Sequence, residues 1–143
     1  MSSISVSDRY PELTLKWLNL LPFLDVHTLF VETARLYPFG YRCIMNTIVR
    51  TGVFDAWLSK LKDARAKARI IKRIRSAERG NFGDCEPVGA GVSEMRIHFG
   101  PGYRVYFTRV SNEVYLLLCG GTKRGQQRDI IKAKDLVRLL KEV

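Results

Sequence analysis

The chain has 143 residues, of which 46% are hydrophobic and 27% charged, so it can bury one core, is too short for two full domains, and is not disordered by composition. Its net charge of +10 points to a polyanionic or acidic protein partner. No apolar run reaches the ~18 residues of a membrane span, and three cysteines without metal spacing (Cys43, Cys85, Cys119) suit a cytoplasmic protein with no disulfide framework, metal site or small-molecule cofactor.

In chain order, residues 1–44 hold four basic and four acidic side chains and are neutral, whereas 45–143 carry the whole positive excess. Trp17, Leu18, Leu20, Leu21 and Leu24 form a helix-like apolar cluster that Pro22 interrupts, and the stretch from Thr28 to Leu36 stops at Tyr37-Pro38-Phe39-Gly40. Met45 sits where charge and pattern change. We therefore expect 1–44 to be an appendage, with Met45 an alternative start, and 45–143 to be the working domain.

Residues 46–51 read as a strand, and Val53, Phe54, Trp57, Leu58 and Leu61 as one face of a short helix. Asp63 is the expected N-cap of a second helix from Ala64 to about Arg79, with Ala64, Ala68, Ile71, Ile74 and Ala77 as its apolar stripe and Gly80 as its stop. Asn81 to Gly91 reads as a loop. In 92–99, Met95, Ile97 and Phe99 alternate with Glu94, Arg96 and His98; in 103–109, Tyr103, Val105 and Phe107 alternate with Arg104, Tyr106 and Thr108. Gly100-Pro101-Gly102 is the turn between these strands. Val114 to Cys119 is apolar enough for the centre of the sheet, and a last helix from about Gln127 shows Ile130, Ala133, Val137 and Leu140 on its apolar side.

The expected order is β-α-α-β-β-β-α. This gives an α+β fold with a small antiparallel sheet, an N-terminal strand plus a three-strand meander, packed against a helical hairpin and a C-terminal helix. The polar faces of the paired strands would then present Glu94, Arg96, His98, Arg104 and Tyr106 together to solvent. Two arginines beside a phenol and an imidazole are a phosphate-sized cationic cluster, and Lys123 and Arg124 extend its rim. Such crowded like charges call for a bound anion, or for Glu94 to neutralise part of them. Nine cations from Lys60 to Arg79, among them Arg65, Lys72 and Arg73, are candidates for contact with an RNA backbone or an acidic protein segment.

From Met45 onward the sequence resembles the RelE/HigB/ParE toxins of bacterial type II toxin–antitoxin modules, and most of all their addiction module killer proteins. The resemblance lies in Phe54-Asp55-Ala56-Trp57-Leu58, Gly80-Asn81-Phe82-Gly83-Asp84, Val88 to Arg96, Gly100 to Phe107, Leu118 to Lys123 and Gln126 to Ile130. It implies a RelE-like fold, a cognate antitoxin, no membrane, and a metal-independent ribonuclease that cuts mRNA on the ribosome. Alternatives within the resemblance are a ParE-like poison of DNA gyrase and a non-catalytic subunit of an antitoxin complex. By the same resemblance Arg104 stabilises the phosphate, Arg96 orients or helps deprotonate the 2′-hydroxyl and Lys123 steadies the leaving group, while Tyr106 beside them stacks on a base or positions the backbone. The family's tyrosine in the last helix has no counterpart near Ile130, which leaves His98 as the local candidate for the general acid.

Overall fold

A computed structural model describes residues 45–142, which lie within a compact unit spanning Ile44–Val143. The expectations for residues 1–44, Cys43 among them, lie outside the described residues.

The first strand, β1 (Thr47–Arg50), ends on Thr51, a buried residue that joins three elements. Its hydroxyl oxygen accepts from the Phe54 N–H at 3.0 Å, capping α1 (Gly52–Lys60), and its O–H donates to the Leu118 carbonyl at 2.7 Å. Asp63 caps α2 (Ala64–Glu78) as expected, accepting from the N–H groups of Arg65 and Ala66. Gly80, at φ +87°, takes the left-handed conformation that ends the helix, and the Asn81 N–H reaches back to the Ser76 carbonyl. The buried stripe of α2 is Ala66, Ile70, Ile74 and Ala77: Ile74 and Ala77 are there as expected, but Ala64 and Ala68 are exposed and Ile71 half-buried. With two adjacent isoleucines, spacing alone leaves the helix phase open by one residue.

The segment expected to be a loop contains a strand, β2 (Cys85–Gly89), paired antiparallel with β3 (Val92–Ile97) and irregular between Pro87 and Gly89. Pro87 and Gly89 hide it from a pattern search, and the edge position is what lets a proline stay there. His98 and Phe99 lie past the end of β3. After the glycine-proline-glycine turn come β4 (Tyr103–Arg109) and β5 (Val114–Thr122), then a 3₁₀ turn (Lys123–Gly125) and α3 (Gln126–Glu142).

The fold is α+β, but the sheet is five-stranded and mixed rather than antiparallel, in the order β1-β5-β4-β3-β2 with β1 parallel to β5. Alternation tells which side a residue faces and nothing about strand direction. β4, not β5, is therefore the middle strand, although β5 is buried from Leu116 to Cys119 as expected. Phe54, Leu58, Ile70 and Ile74 from the first two helices pack with Met95, Ile97, Val105, Phe107 and Leu117 on one face of the sheet. The opposite face, expected to be open, is roofed by α3: Gln126 bonds to Glu94, and the Cys119 thiol lies 3.7 Å from the Asp129 carbonyl.

Two glycines in β5 allow these layers to close. A Cβ on Gly120 would stand 2.3 Å from the Trp57 ring, and one on Gly121 would stand 1.9 Å from the Asp129 carboxylate. We expect Gly120→Ala to lower stability by about 2 kcal/mol through overpacking against the indole. Gly52→Ala, at a helical position with no atom within 4 Å of the added carbon, should leave stability unchanged or raise it slightly. Urea midpoints of the two variants check both.

Candidate functional site

Arg96 on β3 and Arg104 on β4 are direct cross-strand partners, and Arg104 in turn faces Gly121 on β5. The two guanidinium groups share one side of the sheet and one counter-ion. Glu94, fully buried, accepts from Arg96 Nε at 2.9 Å and from Gln126 Nε2 at 3.1 Å, and lies 3.8 Å from Arg104 Nη1. Arg96 also pairs with Glu86 on the neighbouring strand, and its Nη1 stands 3.7 Å from Asp84. Two arginines therefore face three carboxylates. Of the two remedies expected for this crowded charge, a bound anion or Glu94, the structure shows Glu94, joined by Glu86 and Asp84.

The exposure expected of this row is corrected as well. Arg104 is only 9% exposed and Tyr106 is fully buried, because α3 covers the face they share. Arg104 Nε and Tyr106 Oη have no hydrogen-bond partner among the described residues. Burial, with the Glu94 charge next in weight, pushes the Tyr106 hydroxyl above its ordinary range, so it stays protonated. Where it lies, this ring has no open face to offer a base. Arg96 keeps a partly open side chain, 30% exposed.

His98 belongs to a different surface from the arginine row. Beyond the end of β3, its exposed imidazole places Nε2 2.6 Å from Asp84 Oδ2, while Asp84 Oδ1 faces Arg96. The His98 hydrogen bond foremost, then the Arg96 charge, hold the Asp84 carboxyl below its usual value. His98 shares a groove of about 290 Å³ with Arg69, Lys72, Arg73, Ser76, Asn81 and Ile97. Arg65 is exposed on α2 and lines neither this groove nor the next. Lys123 and Arg124 line an open cavity of about 530 Å³ at the β5–α3 junction together with Arg128. At the start of α3, burial raises the Asp129 carboxyl where it presses on Gly121.

The structure thus joins Arg96, Arg104 and Tyr106, sets Lys123 and Arg124 at the end of the adjacent strand, and moves His98, Lys72 and Arg73 to the α2 side. Sequence reading missed Asp84, Glu86, Gln126 and Asp129 as parts of the site. Glu86 was hidden with the strand that carries it and Asp84 with the residue before that strand, and Gln126 carries no signal of its partner. Burial pushes the Cys119 thiol up to about 12 and also raises that of Cys85, so both remain neutral near pH 7. Among the described residues no three His, Cys, Asp or Glu side chains cluster as metal ligands, and no helix is long and apolar enough to cross a membrane.

No family model matches the chain. A Haemophilus influenzae protein, described as an uncharacterized protein, is 50% identical over 93 residues, which are 65% of this chain and 94% of that one. The chain belongs to that protein's family.

Glu94→Gln should lower stability by about 3 kcal/mol, since it leaves two partly enclosed guanidinium groups without their shared charge; denaturant unfolding checks this. Asp84 has a folded pKa below its unfolded one. The stability it contributes is therefore complete above about pH 4 and is lost as the pH falls through the lower folded value. Asp84→Asn should flatten the acid limb of the stability profile, read from urea midpoints across a pH series.

Proposed function

We propose that the chain is the toxin of a type II toxin–antitoxin module, of the RelE/HigB/ParE kind, and that it cleaves mRNA on the ribosome without a metal. The observation that carries this reading is the cross-strand pair Arg96 and Arg104, on one side of the sheet, beside the point where Lys123 leaves β5. The motif blocks that resemble the toxins converge there: Glu-Met-Arg on β3, Gly-Tyr-Arg at the start of β4, and Gly-Gly-Thr-Lys at the end of β5.

In the proposed reaction the 2′-hydroxyl loses its proton and attacks the adjacent phosphorus. The new O2′–P bond forms as the P–O5′ bond breaks, leaving a cyclic phosphate and a 5′-hydroxyl that takes up a proton. Arg96 is the arginine with open surface, and it can exchange the exposed Glu86 for a phosphate oxygen while Glu94 keeps hold of its Nε. Arg104 acts from beneath, fixing Glu94. In this reading Lys123, exposed, steadies the leaving oxygen, and His98, on the α2 side, is linked to Arg96 only through Asp84. Fixed positive charge beside the phosphorane, where negative charge builds up, is the main source of rate enhancement open to such a site.

The enclosure of Arg104 favours a second reading, in which the same surface binds without chemistry, as in a ParE-like gyrase poison or an antitoxin-complex subunit. Incubation with ribosomes and message, followed by mapping of 5′ ends, separates the two. Cleavage that falls about 10²–10³-fold in Arg96→Ala, with the fold retained, supports the nuclease. No cleavage, together with trapped gyrase–DNA complexes, replaces it with the poison.

A further inference from the structure

We propose that the groove between α2 and the end of β3 is a second, separate site that binds a phosphate of a single-stranded nucleic acid. Arg69, Lys72, Arg73 and Ser76 fall at helical spacing on one stripe of α2 and line one wall, with Asn81, Ile97 and His98 completing the groove. Its donors are two guanidinium groups, an ammonium, an amide and an imidazole, a set suited to a phosphodiester, while the Ser76 hydroxyl donates to the Lys72 carbonyl at 3.1 Å.

Charge balance distinguishes this groove from the arginine row. Arg69 and Lys72 form no ion pair among the described residues, whereas Arg96 has three. The Asp84 carboxylate beside His98 is engaged by His98 and Arg96, and its bond to Nε2 fixes the ring edge.

The wall is also prearranged. Arg73 donates to the Arg96 carbonyl at 3.3 Å, and its guanidinium lies so close over Gly83 that any Cβ there would collide with it. Arg69 stacks over the Phe99 ring at 4.5 Å, leaving a flat cationic surface of the kind on which unpaired bases rest. A duplex would offer no free base to that surface, so the stack favours a single strand.

The test measures binding of labelled hexauridylate and its deoxy counterpart to the full chain by fluorescence anisotropy across a salt series. Arg69→Glu/Lys72→Glu is compared with Lys134→Glu/Lys141→Glu, which changes net charge equally on α3, away from the groove. We expect about a tenfold or greater loss for the groove pair, less than threefold for the control, and a salt slope lower by about 1.4 for two lost phosphate contacts. Equal losses in both pairs would overturn the proposal in favour of the general positive field. Unchanged oligonucleotide binding with lost binding of an oligoglutamate peptide would overturn it in favour of an acidic protein segment. Binding of both oligomers assigns the contact to the backbone, and binding of the ribose form alone adds the 2′-hydroxyl; either supports the site. Should the double variant not fold, Lys72→Glu against Lys141→Glu reads the same contrast. The deoxy oligomer has no 2′-hydroxyl to attack, so the outcome is independent of whether the arginine row cleaves RNA.

Discussion

The Glu94 carboxylate is the charge around which the other groups of this site are arranged. A buried carboxylate is tolerated only when donors surround it, and here they come from three elements: Arg96 on its own strand, Arg104 on the next, and Gln126 at the head of α3. Satisfying that one group therefore holds β3 to β4 in register and brings the last helix down onto the sheet. The arginines are as much its ligands as it is theirs.

This arrangement changes where the protein's positive potential can act. Charges paired at close range cancel at a distance, so the arginine row contributes little to long-range attraction of a polyanion. The unpaired cations of α2, and Lys123 and Arg124 beyond β5, supply that attraction instead. Under the proposed function, encounter with RNA and chemistry upon it fall to different surfaces, joined through Asp84, which has one oxygen turned to each.

Local signals in the sequence are legible and non-local ones are much less so. Asp63 and Gly80 announce the two ends of α2 because a cap and a left-handed stop are properties of a few neighbouring residues. The side of the strand on which Arg96 and Arg104 lie follows from alternation, and the structure agrees. What covers that side does not follow, because α3 buries Asp129 and Asp135 beside Ala133, Leu136 and Val137 and so looks more polar than it is. β2 is hidden for a related reason: an edge strand of five residues tolerates a proline and a kink that an interior strand cannot. The parallel direction of β1 depends on a partner more than sixty residues away.

Gly120 and Gly121 give the sheet its thinnest place. Where other residues of β5 put a side chain between the layers, these two put a hydrogen, and an indole presses in from one side while a carboxylate presses in from the other. The helical layers are nearly in touch through the strand at that spot. A shift of the last helix would therefore be felt by Trp57 on the far side, which makes that indole a natural optical reporter of events beneath α3.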